Sequence, residues 1–151
     1  LDQVWFCWRC EVSTPAPRSA FDSNEEYWKS FWEMSEFGVD PEDYDFFHAF
    51  FSSGLCPQTD EENEHWFHMP EKIIVYRGFC KTNGRLDGMS WTPDKEKAMW
   101  FARRHGNVQP TLAKGSIDKS EIAVVIIGRE KEYIIPDISC FDEDSIAEEE
   151  I

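Results

Sequence analysis

Arg129-Glu130-Lys131-Glu132-Tyr133-Ile134-Ile135-Pro136 sets two carboxylates two residues apart at the start of an apolar run that proline closes. Side chains alternate across a strand with period two, so Glu130, Glu132 and Ile134 share one face. Lys131, Tyr133 and Ile135 take the other. Like charges side by side disfavour each other's ionisation. Such a pair points to a ligand, a metal or a reaction; its bland alternative is a charged strand edge that discourages aggregation.

Outward from this strand the texture stays β-like. Ile122–Ile127 and Leu112–Ile117 precede it, and Gly128-Arg129 forms a tight turn into it. Ile73-Ile74-Val75-Tyr76 is an apolar run ended by Arg77-Gly78, Asn83-Gly84 signals a turn, and Gly88-Met89-Ser90-Trp91 is a short strand. Thr92-Pro93-Asp94 reads as a helix start, with Thr92 as N-cap, and the helix runs to about Arg104 with Ala98, Phe101, Ala102 and His105 on one face. Gly106 to Pro110 breaks it.

The N-terminal half is helical in pattern. A Pro-containing loop at Ser13–Pro17 precedes a helix capped by Ser23 or Asn24, with Tyr27, Phe31, Met34 and Phe37 at helical spacing. Asp40-Pro41 opens a second helix whose stripe is Tyr44, Phe47 and Phe51, ending near Gly54. These aromatics read as core. Residues 57–70 are polar. The expected fold is α+β, with an N-terminal helical segment 1–70, a strand-rich core 71–140 and an acidic tail 141–151.

Composition narrows the function classes. The chain has 151 residues, 41% hydrophobic, with seven Trp, twelve Phe and four Tyr, which excludes intrinsic disorder. No apolar run approaches the roughly 20 residues that span a bilayer, and no signal-peptide pattern opens the chain, so a soluble cytosolic protein is expected. A net charge of −15 argues against direct nucleic-acid binding and permits a basic protein partner or a charge mimic. Five cysteines are an odd number, which favours reduced thiols. Cys7-Trp8-Arg9-Cys10 and His65-Trp66-Phe67-His68 have zinc-ligand chemistry, but 54 residues separate Cys10 from His65, far more than in an ordinary finger, and no metal is expected.

Three chemical elements remain in the strand-rich half. Arg77-Gly78 at a strand end suits a clamp on phosphate or carboxylate, with glycine admitting a ligand to the backbone. Ser90-Trp91-Thr92 sits on a strand before a helix, and Ser90 is too early to cap it. Glu130-Lys131-Glu132 is the third.

In this order the set resembles the mono-ADP-ribosyltransferases of the arginine–serine–glutamate type, which carry an Arg on the first core strand, a Ser-x-Ser/Thr on a later one and a Glu/Gln-x-Glu entering another. Val75-Tyr76-Arg77-Gly78, Gly88-Met89-Ser90-Trp91-Thr92 and Trp100-Phe101-Ala102 are similar to small bacterial and phage-encoded members, over about residues 71–137. The resemblance implies a split β-sheet core and cleavage of NAD⁺ at the nicotinamide–ribose bond, with ADP-ribose passed to an acceptor. It implies Glu132 on the ribose and its developing charge, Ser90 holding Glu132, and Arg77 with Gly78 on the pyrophosphate side. Trp91 and Thr92 would complete the NAD⁺ site, and Glu130 would orient or deprotonate the acceptor. A Glu in that first position implies an arginine acceptor, and the acidic chain would dock on an arginine-rich surface. Two features depart from the family pattern: Trp91 is bulky where many members are small, and the turn before Glu130 is short. Target choice would then fall to the N-terminal helices. Two rival readings stand beside this one: an NAD⁺ hydrolase, which uses the same residues with water as acceptor, and a non-catalytic acidic inhibitor with a degenerate transferase fold, which would not need the intact motif set.

Overall fold

The run at Ile73–Tyr76 becomes the middle of one strand that continues through Arg77 and Gly78 to Cys80 (β1, Lys72–Cys80). The computed structural model describes residues 28, 29, 32, 41–54, 56–80, 88–104, 109–128, 131–142 and 145–151. Arg77 is therefore inside a strand and not at its end. The reason lies in its partner, β3 (Pro110–Asp118), which pairs antiparallel along the full length, from Lys72↔Asp118 to Cys80↔Pro110. A hydrogen-bonded neighbour of equal length holds glycine in extended geometry where its own preference would not.

Two small antiparallel sheets result. One has the order β1, β3 and β6 (Ala147–Glu150); the other has β2 (Ser90–Trp91), β5 (Lys131–Ile134) and β4 (Val124–Ile127). They meet at one crossing, where the Tyr76 amide donates to the Thr92 carbonyl at 2.7 Å and the Thr92 amide donates back at 2.9 Å. The acidic C-terminal stretch is thus not a free tail. Residues 147–150 pair with Lys114 to Thr111, keeping their side chains exposed while their backbone is satisfied.

Alternation along β1 decides what each face meets. Val75 and Phe79 turn inward with Ala113 and Ile117 of β3, and pack against Trp91, Val125 and Tyr133 of the second sheet. The opposite face carries Gly78, and there helix α3 (Lys95–Arg103) presses its buried Ala98 and Ala102. This helix starts later than its sequence signals indicate. Thr92 is held extended by its bridge to Tyr76, so the N-cap is Asp94, whose side chain accepts from the Lys97 amide at 3.2 Å. The Thr92 hydroxyl serves the same turn one step back, accepting from the Asp94 amide at 3.1 Å.

The chain divides into two compact units, Leu1–Thr59 and Asp60–Ile151. In the first, α1 (Pro41–Ser52) runs from Pro41 and stops before Gly54, which takes φ 76°. Phe47, Phe50 and Phe51 are buried with Trp28, as the aromatic stripe requires. Trp32 meets Phe47 and Phe51 edge-on at 5.0 and 5.2 Å, and the Trp28 indole donates to the Pro57 carbonyl at 3.0 Å.

The polar stretch before the strands forms a helix, α2 (Asp60–His68), and belongs to the second unit. The reason is one face at spacing 3.6. The carboxylate of the fully buried Glu62 accepts from the Ile127 amide at 3.4 Å, and His65 shares a 2.7 Å hydrogen bond with the Tyr133 hydroxyl. One residue on, the Trp66 indole donates to the Lys119 carbonyl at 2.9 Å, and Met69 is buried in the same core. The domain boundary lies before this helix, at residue 59, and not after it. Among the described residues no helix is long and apolar enough to cross a membrane.

Candidate active site

Arg77 shares the inward face of β1 with Val75 and Phe79, near the point where the two sheets cross. From there its Nη1 donates to the Ser90 carbonyl at 3.0 Å. Ser90 is opposite Ile134 in the β2–β5 ladder, so Glu132 is its diagonal neighbour on the same face. A glutamate is long enough to cross that diagonal, and the Ser90 hydroxyl donates to Glu132 Oε2. Three residues from three strands, 13 and 42 positions apart along the chain, are joined through Ser90 by one backbone and one side-chain hydrogen bond. All three are partly buried.

Gly88 completes the arrangement and was not among the residues the sequence marked. A Cβ there would be 2.1 Å from Arg77 Nη2 and 2.4 Å from Cζ, so the guanidinium occupies the space a side chain would need. The signal was available: Gly88 is two positions before Ser90, on the same side of the segment.

The other marked residues have different surroundings. Gly78 faces α3, not the side on which Arg77 lies: a Cβ on it would meet the Ala98 carbonyl oxygen at 1.8 Å. Its lack of a side chain serves helix packing. Trp91 alternates with Ser90 and points into the core, only 1% exposed, its indole donating to the Gly88 carbonyl at 3.1 Å and its ring 4.6 Å from that of Phe141. It does not reach the face of Ser90 and Glu132. Thr92 is occupied by the sheet crossing and the helix start. Glu130 lies outside the described residues, as do Cys7 and Cys10, Asn83-Gly84 and Ser23-Asn24. Among the described residues no cluster of His, Cys, Asp or Glu could hold a metal ion. His65, one half of the HxxH, is committed to Tyr133, and His68 sits 3.8 Å from Glu64 on an exposed helix face.

On the other side of β5 an open cleft of about 940 Å³ runs between α2 and the start of β1, with Tyr133, Lys131 and Ile127 in its lining. Burial, reinforced by the Lys131 charge, lowers the His65 imidazole below its usual range, and burial raises the Tyr133 phenol. Both groups are thus neutral at pH 7, so their bond joins two neutral partners.

Comparison of the chain with protein-family models, with curated proteins and with solved structures gives no match.

Proposed function

We propose that the chain is a mono-ADP-ribosyltransferase of the arginine–serine–glutamate type, built on that family's split-sheet core. It would cleave NAD⁺ at the nicotinamide–ribose bond and transfer ADP-ribose to a protein side chain, an arginine by preference. The observation that carries this reading is the Ser90 hydroxyl on the Glu132 carboxylate, with the Arg77 guanidinium on the carbonyl of that same serine.

The chemistry suits these groups. When the C–N bond breaks, nicotinamide leaves with the bonding electron pair and positive charge develops on the ribose, as in glycoside cleavage. A carboxylate whose orientation is set beforehand by a serine hydroxyl stabilises that charge without reorganising during the reaction. The fixed guanidinium of Arg77 suits the pyrophosphate, to which it presents a planar fork of donors. The acceptor nitrogen then bonds to the ribose carbon and loses a proton, for which the motif supplies Glu130. With a charge of −15, the partner expected is a protein with an arginine-rich surface, in a bacterial or host cytosol. The role that fits is that of a phage or bacterial effector.

The test is incubation with labelled NAD⁺ and a host lysate. We expect a labelled protein band that Glu132→Gln weakens by about 10²–10³-fold, the usual loss of an electrostatic stabiliser. A band of equal strength with Glu132→Gln, or none with either, would refute the reading. Nicotinamide release that is the same with and without lysate would make water the acceptor and the protein a hydrolase.

A further inference from the structure

Helix α3 is seated on β1 through Ala98 and Ala102, and this seat decides what its far side presents. At 3.6 residues per turn Trp100 lies opposite that pair, and it is 56% exposed. Glu96, Lys97, Arg103 and Arg104 are its neighbours one turn to either side. The outer face is therefore an indole bordered by three cations and one acid. On a chain of net charge −15 it is locally basic. Among the described residues no acidic side chain pairs with Arg103.

The face is ordered in advance of any partner. The Arg104 guanidinium lies 4.6 Å from the centre of the Phe101 ring and 5.8 Å from that of Trp100. The two rings meet nearly edge-on at 5.2 Å. Beneath them the helix backbone rests on Gly78, where no side chain intervenes. Little conformational freedom is left for docking to freeze out.

The sheet under the helix does not reverse the charge. Leu112 is opposite Gly78 in the ladder, so the α3 side of the sheet also carries Lys114 and, on β6, Glu149. Those two exposed charges cancel, and Lys72 and Asp118 further along pair with each other at 3.5 Å. The Asp94 carboxylate is engaged as the N-cap.

We infer that the outer face of α3 docks an acidic segment of a partner protein, with an apolar side chain against Trp100 and carboxylates on Arg103 and Arg104. Size and charge select this occupant. A nine-residue helix is about 14 Å long, which matches about four residues of extended chain. A short acidic segment stays within that length, and acids farther off than about 8 Å are largely screened at physiological salt. A nucleic-acid strand would carry its phosphates past the patch and over a chain that is acidic overall. The inference does not depend on the transferase reading, because α3 lies on the side of β1 away from Arg77.

Fluorescence anisotropy with the full chain tests this. The probe is a short fluorescein-labelled peptide alternating aspartate and leucine. It is compared with one carrying serine for leucine, one carrying arginine for aspartate, and a labelled oligothymidylate. We expect the aspartate–leucine peptide to bind, and each of the others to bind at least about tenfold more weakly. Trp100→Ala should weaken binding by about tenfold or more, and Arg103→Ser by about fivefold. The controls are Phe67→Ala, which removes an aromatic 71% exposed on α2, and Lys131→Ser, which removes an exposed cation on β5. Both should bind as wild type does. Unchanged melting confirms folding, and if Trp100→Ala melts early, Arg103→Ser decides. Equal weakening by Arg103→Ser and Lys131→Ser would reduce the effect to net charge and overturn the site. Equal binding of the serine peptide, no binding at all, or tighter binding of oligothymidylate would overturn it as well.

Discussion

A Cβ atom placed on Gly78 would lie 1.8 Å from the Ala98 carbonyl oxygen, 2.8 Å from its carbonyl carbon and 2.9 Å from the Ala102 amide nitrogen. All three are backbone atoms of α3, so no side chain can rotate out of the way. To restore ordinary contact the helix must retreat by about 1.5 Å, which unseats a packed interface. Ala98 and Ala102 are 1% and 0% exposed, so the retreat opens space that only water or a void can fill. Overpacking of this kind costs about 1–3 kcal/mol, and with rigid backbone on the receiving side we expect Gly78→Ala to reach about 3 kcal/mol. At about 4–8 °C per kcal/mol for a unit of this size, the melting temperature should fall by about 12 °C or more. Thermal unfolding followed by far-ultraviolet circular dichroism reads this, and urea titration should show a lower midpoint with an unchanged slope. A variant that melts within about 2 °C of wild type and instead loses NAD⁺ binding would refute the helix-seat argument and restore Gly78 to the ligand.

The atoms nearest a Cβ on Gly88 belong to the Arg77 guanidinium and not to backbone, so Gly88→Ala should displace that group, changing stability by less than about 1 kcal/mol while NAD⁺ cleavage drops sharply; equal loss of both would refute the distinction. Because burial favours neutral His65 in the fold, the unfolded chain takes up the proton first, and stability should decline as pH falls below about 6.5. Replacing His65 by Asn should flatten that part of the denaturant-midpoint profile, leaving the carboxylate losses further down, Asp142 among them. Hydrogen bonding to the Glu121 carboxylate, with burial and Asp137, pushes the Cys140 thiol up to about 12. Alkylation of Cys140 at pH 8 should therefore be slower than in the unfolded chain by roughly a thousandfold, and Glu121→Gln should speed it, as peptide mapping after iodoacetamide would report.

The strands and the faces of their side chains were largely legible because the period of two is a local property. Ser90 and Trp91 had to face opposite ways on any strand, as Glu132 and Tyr133 did. The aromatic stripe of α1 was equally readable from its helical spacing. Less legible were features set by a distant partner. Thr92 carries good N-cap chemistry, but the bridge to Tyr76 holds it extended and moves the cap to Asp94. Glu62 reads as one more surface acid, yet it is buried and accepts from the Ile127 amide at the end of β4. The acids at 148–150 read as a solvated end because charge predicts exposure. Their side chains are exposed, but the open edge of β3 takes their backbone.

Arg77, Ser90 and Glu132 could be named from the chain as residue types suited to one chemistry, in an order that carries meaning. Their meeting is a tertiary matter. It depends on β5 lying beside β2 with Ser90 opposite Ile134, and on the sheets crossing at Tyr76 and Thr92. Which way each side chain points follows from the backbone's local geometry, so the sequence alone determined it. Which strand lies beside it, and in what register, follows from burying two apolar faces against each other, and that is a decision of the whole fold.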